Sequence, residues 1–239
     1  MSGTLYLLPC PIAAGPIGAV LPAEVIAIAR RVDYFLAEEA KSARAFLKEV
    51  GHPRPIRELS IVEIGHEPRT ADIEGWLAPV VSGVDAALVS EAGCPGIADP
   101  GATIVAAAHV RGLRVRPLVG PSSILLALMA AGLEGQRFRF HGYLPVAADA
   151  RTAALKTLER ESKARSETQV FIETPYRSAV LFEAVLGACA PSTRLAVATD
   201  LTGAGEFVAT RSVQQWKSGP QDRRPPLQRQ PTVFCLLAP

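Results

Sequence analysis

Three bare loops are the stretches of this sequence best suited to bind a ligand. They read PCPIAAGP (9–16), SEAGCPGIADPG (90–101) and VGPSS (119–123), and each follows an apolar run. Glycine lets the main chain approach a ligand without an intervening Cβ, and proline holds a loop in place before the ligand arrives. Any one of them alone is equally well explained as a tight turn. Three such loops on one edge of a sheet would favour a binding site.

The elements that precede these loops indicate an open parallel sheet in the first half of the chain. Short apolar runs at 4–9, 34–37, 84–90 and 113–120 alternate with stretches of helical spacing at 23–32, 41–51, 71–83 and 102–112. This alternation is typical of a parallel α/β sheet buried on both faces. Loops that leave the carboxyl ends of such strands share the edge at which these folds bind ligands.

The second half of the chain predicts a mixed sheet. Strand-like runs lie closer together, and at least two pairs have no helix assigned between them, which favours antiparallel neighbours. A helix is expected over 121–132 and a charged one over 151–167, whereas the Pro- and Arg-rich stretch 218–230 is expected to be a loop. The predicted strands of this half are 138–145, 168–174, 194–201, 205–213 and 231–239. We therefore predict two α/β domains, 1–119 and 120–239, with the ligand cleft between them.

Composition excludes several classes of protein. The chain has 239 residues, 49% of them hydrophobic, and a formal net charge of +2. Such a chain can fold as one large or two small domains, and its charge is too weak to indicate nucleic acid by itself. No apolar run is long enough for a membrane span, and the start lacks the basic region of a signal peptide. We expect a cytoplasmic protein with reduced thiols and no membrane association.

Neither metal nor nucleotide motifs are evident. The four cysteines are far apart and form no CxxC or CxxH pair, and the four histidines occur singly, so no metal site is expected. No GxxxxGK[ST] occurs, and no GxGxxG opens a helix after the first strand. An ATP site and a common dinucleotide site are therefore not indicated.

The order and spacing of the loops resemble the tetrapyrrole methylase superfamily, the class III S-adenosylmethionine-dependent methyltransferases. Within it the chain is most similar to the ribosomal RNA small-subunit methyltransferase I branch. The pairing of SEAGCPGIADPG with GPSS and FHGYLP favours this branch over precorrin or diphthine methylases. The segments that carry the resemblance are LYLLPCPI (5–12), VDYFLAEEAKSARAFLKEVG (32–51), ALVSEAGCPGIADPG (87–101), RVRPLVGPSSILLALMAAGL (114–133), FRFHGYLP (138–145), VFIETPYR (170–177) and the closing strand 232–237.

The resemblance implies a homodimer of two-domain subunits that binds S-adenosylmethionine and 2′-O-methylates a cytidine ribose of 16S rRNA in the small ribosomal subunit. It also implies donor contacts, many of them through the main chain. By position these contacts come from Pro11, Gly93, Cys94, Pro95, Ile97, Ser122, Ser123, Phe171, Leu201, Pro231 and Thr232.

Several substrate-side motifs depart from the branch. Most of the changes remove positive charge or polar groups, and Lys and Arg supply much of nucleic-acid affinity. The resemblance therefore supports the methyl donor more firmly than the rRNA acceptor. The departures are PCPIAAG for PTPIGN, AEEAK (37–41) for AEDTR, SEAGCP for SDAGTP, ETPYR (173–177) for EAPHR, ATDLTG (198–203) for ARELTK and RQP (229–231) for KGE.

A ribose hydroxyl needs a base to take its proton, and three acids near predicted loops are candidates. They are Glu91, Glu173 and Asp200. Glu173 and Asp200 have an alternative role, because either could cap a helix or pair with Arg177. Asp99 is expected to begin the following helix rather than to take part in chemistry.

Basic residues that could bind RNA lie in three groups: Arg111, Arg114 and Arg116; Arg223, Arg224 and Arg229; and the run 151–165 with Arg151, Lys156, Arg160, Lys163 and Arg165. Glu159 and Glu161 are interspersed among the cations there, which favours a solvated helix face over an RNA-binding one. Two alternatives to rRNA methylation remain open: a methylase of this fold that acts on a small molecule such as a tetrapyrrole, and a non-catalytic paralogue that binds S-adenosylmethionine or RNA.

Overall fold

The computed structural model describes residues 2–220 and 224–239, and its contacts divide the chain into two compact units, Met1–Ser122 (unit 1) and Ser123–Pro239 (unit 2). Unit 1 contains strands β1 (Thr4–Leu8), β2 (Tyr34–Ala37), β3 (Ser60–Glu63), β4 (Ala86–Val89) and β5 (Arg114–Pro117), and helices α1 (Ala23–Arg31), α2 (Ala40–Glu49), α3 (Thr70–Val81) and α4 (Ala102–Val110). Unit 2 contains helices α5 (Ser123–Ala131), α6 (Ala148–Arg165), α7 (Ser178–Ala188) and α8 (Val213–Ser218), and strands β6 (Phe138–Tyr143), β7 (Thr168–Glu173), β8 (Arg194–Thr199), β9 (Phe207–Ser212) and β10 (Thr232–Leu237).

The sheet of unit 1 is parallel, with strand order β3-β2-β4-β1-β5. β2 and β4 are buried along their whole length, as expected for strands covered on both faces. Successive residues of a strand point to opposite faces. Leu5 and Leu88 therefore pack with α3 and α4, whereas Tyr6 and Ala87 pack with α1 and α2. Two separate cores, one on each face, hold the sheet in place.

The sheet of unit 2 is mixed, with strand order β6-β7-β10-β8-β9. β6 and β7 are parallel, and the remaining pairs are antiparallel. Its core combines β7, β8 and β10 with α6, α7 and α8 around the fully buried Trp216, which donates a hydrogen bond to the carbonyl of Leu195 (2.9 Å) and meets Phe182 edge to face. The predicted fold class, a parallel α/β part followed by a mixed α/β part, is confirmed.

Three elements were not anticipated from the sequence. β3 is a four-residue edge strand without hydrophobic alternation, and α7 is apolar nearly all round, so it gives no helical periodicity. α7 also lies between β7 and β8, a pair to which the sequence assigned no helix. α8 begins with a capping box of Ser212 and Gln215 and reaches the start of the predicted loop 218–230, of which 221–223 lie outside the described residues. The domain boundary predicted after residue 119 stays a prediction.

Candidate functional site

The three bare loops meet at the carboxyl edge of the unit 1 sheet. They leave β1, β4 and β5, and β1 lies between the other two strands. Cys10 and Gly93 exchange two main-chain hydrogen bonds of 2.9 and 3.1 Å, which join the first loop to the second. The Cys94 thiol lies 3.4 Å from the carbonyl of Pro121, which joins the second loop to the third. The prediction that these loops share one edge is confirmed.

Two glycines make this close approach feasible. Gly93 has φ of +76°, a left-handed conformation that favours glycine. A Cβ on Gly120 would lie 2.2 Å from Cγ of Pro9, so the third loop fits against the first only without a side chain there. The three loops therefore form one rigid rim of main chain, which we call the loop rim (residues 9–12, 90–97 and 120–122).

The predicted donor-binding residues of unit 1 all lie on or beside the loop rim, with different exposure. Gly93 and Pro95 are buried, whereas Pro11 and Cys94 are half-buried. The side chain of Ile97 is an apolar group left 54% exposed. Ser122 and Ser123 are half-buried at the start of α5.

An acidic cluster lies beside the loop rim and was not anticipated as a unit. The Glu38 carboxylate, 6% exposed, accepts a hydrogen bond from the main-chain N–H of Glu91 (3.2 Å) and lies 2.7 Å from Nδ1 of His66. The hydroxyl of Ser42 lies between Glu39 and Glu91, 3.0 Å from Oε1 of Glu91, and this hydroxyl lowers the pKa of Glu39. Residues from the ends of β2, β3 and β4 are thereby tied together.

Asp99 belongs to this cluster, and the expectation that it begins α4 is wrong. The residue that precedes α4 is Gly101, with φ of +131°, and no side chain caps the helix. Burial, together with the negative charge of Glu38, raises the pKa of Asp99 to about 6. Burial and Asp99 also raise the pKa of the Cys94 thiol, which keeps it protonated. The sequence did not indicate that Asp99 lies in this cluster.

The remaining predicted residues converge at one end of the unit 2 sheet. Thr232, the first residue of β10, is opposite Glu173 at the end of β7 and Thr199 at the end of β8. Asp200 and Leu201 follow directly, and the Asp200 N–H lies 3.4 Å from the carbonyl of Pro231. Register thus brings together residues that are up to about sixty positions apart in the chain.

Of the three candidate bases, the two at this end, Glu173 and Asp200, already accept hydrogen bonds from neighbouring residues. Oε1 of the buried Glu173 accepts hydrogen bonds from Nη2 of Arg177 (2.7 Å), Nε of Arg177 (3.0 Å) and the main-chain N–H of Thr174 (2.7 Å). The Asp200 carboxylate accepts a hydrogen bond from Gly205 N–H (2.8 Å) within the turn that joins β8 to β9. The alternative that Glu173 pairs with Arg177 is confirmed, and Asp200 holds a turn rather than capping a helix.

Unpartnered polar atoms mark the same end of the sheet. The side-chain hydroxyls of Thr199 and Thr202 are buried without a hydrogen-bond partner. Buried polar groups are nearly always paired, so an unpaired one indicates a missing partner. Phe171 is fully buried and stacked on Phe234. Leu201 and Thr232 are also buried, and Pro231 is exposed.

Comparisons with known proteins agree with this arrangement. No protein-family model matches the chain. The chain is 37% identical over 177 residues to a ribosomal RNA small subunit methyltransferase I of Xylella fastidiosa, covering 74% of the chain and 60% of that relative. It is 32% identical over 225 residues to the protein of the same name from Escherichia coli O157:H7, covering 93% of the chain and 74% of the relative. The chain belongs to the ribosomal RNA small subunit methyltransferase I family.

Solved structures share the fold of this family member. A uroporphyrin-III-C-methyltransferase from Thermus thermophilus covers 98% of the chain with a TM-score of 0.54, and 94% of that structure is matched. A conserved hypothetical protein from Aeropyrum pernix K1 covers 100% of the chain with a TM-score of 0.66, and 85% of that structure is matched. Both are 17% identical to the chain, so they establish a fold like that of the uroporphyrin methyltransferases and nothing further.

Three further observations bear on what this family member can do. The chain spans 60% of the length of the Xylella relative, less than two thirds. In the described part of the chain, no helix has the length and apolar character to cross a membrane. Within the same residues, no three His, Cys, Asp or Glu side chains are grouped so that they could hold a metal ion.

Proposed function

We propose that the protein transfers a methyl group from S-adenosylmethionine to a ribose 2′-hydroxyl of 16S rRNA in the small ribosomal subunit. The observation that carries this proposal is the loop rim: three bare loops locked together through Cys10, Gly93, Cys94 and Pro121. The chain that forms it is 32% identical over 225 residues to a ribosomal RNA small subunit methyltransferase I.

The residues present fit S-adenosylmethionine. Gly93 brings main chain without a Cβ to the loop rim, and Ile97 offers an exposed apolar group. In unit 2 the unpartnered hydroxyls of Thr199 and Thr202 supply hydrogen-bonding capacity that the protein itself leaves unused. The prediction that residues of both units contact the donor stays a prediction, as do the homodimer and the cytoplasmic location.

The work of the protein in this reaction is alignment and proton removal. S-adenosylmethionine supplies a methyl group on a sulfonium, which is already activated, so the protein has chiefly to align the acceptor with it. The hydroxyl proton needs a base whose pKa lies near the working pH. Asp99, with a pKa of about 6, meets that condition beside the exposed Glu91. Glu173 and Asp200, engaged by Arg177 and Gly205, hold the unit 2 end in place.

The test measures donor binding and methyl transfer separately. Calorimetry of the full chain with S-adenosylmethionine should give a saturable binding isotherm. Labelled donor should then transfer its methyl group to 30S subunits from cells that lack the gene, and mapping of the product should place it on a ribose 2′-oxygen. Donor binding without transfer to any 30S preparation would refute the rRNA acceptor and favour the non-catalytic paralogue.

Variants in the acidic cluster test the base. We expect Asp99→Asn or Glu91→Gln to lower kcat by about 100-fold or more, the usual contribution of general base catalysis, with donor affinity unchanged. Glu74→Gln, an exposed acid on α3, is the matched control and should leave kcat as it is. Full activity in both cluster variants, with loss in Glu173→Gln, would move the base to unit 2.

A further inference from the structure

Helix α6 presents three exposed cations in a row. Lys156, Arg160 and Lys163 are spaced four and three residues apart, which places them on one face of the helix. All three are solvent-exposed, whereas Leu155, Leu158 and Ser162 of the same helix are buried. The row therefore faces away from the core of unit 2.

The acids interspersed among these cations have partners outside the helix. Oε1 of Glu159 accepts a hydrogen bond from the main-chain N–H of Ala190 (2.7 Å) and another from the hydroxyl of Thr193. Oε2 of Glu161 lies 3.2 Å from Nη1 of Arg139 on β6. Glu159 with Lys163, and Glu161 with Arg165, have the four-residue spacing of helical ion pairs, but neither pair forms.

The groove beside this helix is lined by these three cations and by one carboxylate, Glu159, whose Oε1 is held by Ala190 and Thr193 rather than by a cation. Among residues 2–220 and 224–239, no carboxylate lies within 4 Å of Lys156, Arg160 or Lys163 in an ion pair. The groove has a volume of about 260 Å³, and its opposite wall consists of 190, 192–193 and the two residues after β10, 238–239. At about 30 Å³ for each water, that is room for an anion with several of its waters.

We propose that this cationic groove (Lys156, Arg160 and Lys163 with the wall opposite) docks the phosphate backbone of the RNA substrate. The inference rests on the proposed function and assigns it a substrate-binding surface. The three cations extend about 10 Å along the helix axis, seven residues at 1.5 Å each. That is too long for one phosphate and suits consecutive phosphates of a strand.

The charge beside the loop rim favours a separate surface for the phosphate backbone. The acidic cluster beside the loop rim, with Glu38, Glu39, Glu91 and Asp99, offers a phosphate backbone no attraction. Affinity for nucleic acid depends mainly on cations that neutralise phosphates. The cationic groove supplies three of them on a rigid helix.

The experiment compares two triple variants of the full chain. Lys156→Gln/Arg160→Gln/Lys163→Gln removes the groove cations. Arg44→Gln/Lys48→Gln/Arg57→Gln removes three exposed cations of unit 1 and is the control for net charge. Binding of each protein to a fragment of 16S rRNA is measured by fluorescence anisotropy at salt concentrations from roughly 50 to 200 mM. Over this range the affinity falls with salt in proportion to the number of phosphate contacts.

The groove variant should bind RNA about ten-fold or more weakly, and the slope of log K against log salt should become less negative by about 2 to 3. Its melting temperature and donor affinity should match those of the unaltered protein, and KM for 30S subunits should rise with kcat unchanged. The control variant should change the slope by less than about 1. If the triple variant does not fold, each single variant should change the slope by about 0.7 to 0.9.

Equal losses in the two variants would overturn the proposal, because net charge alone would then explain RNA binding. An unchanged slope in the groove variant, with methyl transfer intact, would overturn the groove but leave the proposed function standing. An unaltered protein that binds S-adenosylmethionine but no RNA would overturn both the groove and the rRNA acceptor. Loss of binding to phosphatidylserine vesicles, with RNA binding unchanged, would assign the groove to a membrane surface instead.

Discussion

At the scale of single residues, Asp99 is a carboxylic acid whose surroundings favour its neutral form. It sits half-buried in the second loop, next to the carboxylates of Glu38 and Glu91, and its pKa is raised from 3.8 to about 6. An acid whose pKa is higher in the folded than in the unfolded protein binds its proton more tightly when folded. Its contribution to stability is therefore present below pH 4 and is lost as the pH rises to about 6.

Asp99→Asn removes this titration, so the variant should gain stability over the unaltered protein as the pH rises. We expect the difference in free energy of unfolding to increase between about pH 4 and pH 6 and to stay constant above. Urea unfolding at several pH values measures it. Glu74→Gln should give a difference that does not increase across this window. A parallel pH dependence in the unaltered protein and the Asn variant would contradict the assignment.

The buried Glu173 illustrates a different use of a carboxylate. Three hydrogen bonds to one of its oxygens, two of them from Arg177, fix the turn between β7 and α7. A carboxylate with this many hydrogen-bond partners is held in one position, which suits it to fixing a turn. The residue type and its place after a strand suggested a base, and only its partners distinguished the two roles.

At the scale of elements, the loop rim depends on contact between loops rather than on any helix or strand. Cys10 and Gly93 exchange main-chain bonds, and Gly120 packs on Pro9 without room for a methyl group. Prolines at 9, 11, 95 and 121 restrict the same loops. A ligand that binds there meets main chain whose ordering is already complete, which lowers the entropic cost of binding.

Gly120→Ala should disturb both stability and donor binding. The new Cβ would lie 2.2 Å from Cγ of Pro9, a ring atom that cannot rotate away. We expect a loss of about 1 to 3 kcal/mol in the free energy of unfolding, as for other overpacked sites, and weaker binding of S-adenosylmethionine by calorimetry.

The control is Gly18→Ala, because a Cβ there would meet no atom within 4 Å. It should change stability by less than about 0.5 kcal/mol and leave donor affinity unaltered. If Gly120→Ala behaved like this control, the tight contact between the first and third loops would be refuted.

At the scale of the whole molecule, each unit has the core that an independent domain requires. Unit 1 has two clusters, one on each face of its sheet, and unit 2 has one cluster around Trp216 and Phe182. Chains of somewhat more than 100 residues bury enough surface to fold alone.

We expect residues 2–122 and 123–239, expressed separately, each to unfold in one cooperative transition in urea. Circular dichroism and tryptophan fluorescence should give the same midpoint for each fragment. A fragment without a cooperative transition would show that its core is stable only within the full chain, and would contradict the predicted domain organisation.

The sequence predicted most of the strands and helices in their order, the parallel and mixed characters of the two sheets, and the shared edge of the three loops. These features follow from local patterns: apolar runs set strands, and Gly and Pro set the loops between them. β3 was not predicted because it has no hydrophobic alternation, and α7 was not predicted because it has no polar face. Their place depends on the neighbours they pack against, and those neighbours are distant in the chain.

Only the tertiary structure decided which charges are paired. Glu38 and Asp99 repel each other although 61 positions separate them, because β2 and β4 are adjacent in the sheet. By their spacing, Glu159 and Glu161 could pair with cations of their own helix. Glu159 instead accepts hydrogen bonds from Ala190 and Thr193, and Glu161 pairs with Arg139. Electrostatic energy depends on distance in space, and chain spacing gives that distance only within a helix or strand. The acidic cluster and the cationic groove are therefore properties of the fold.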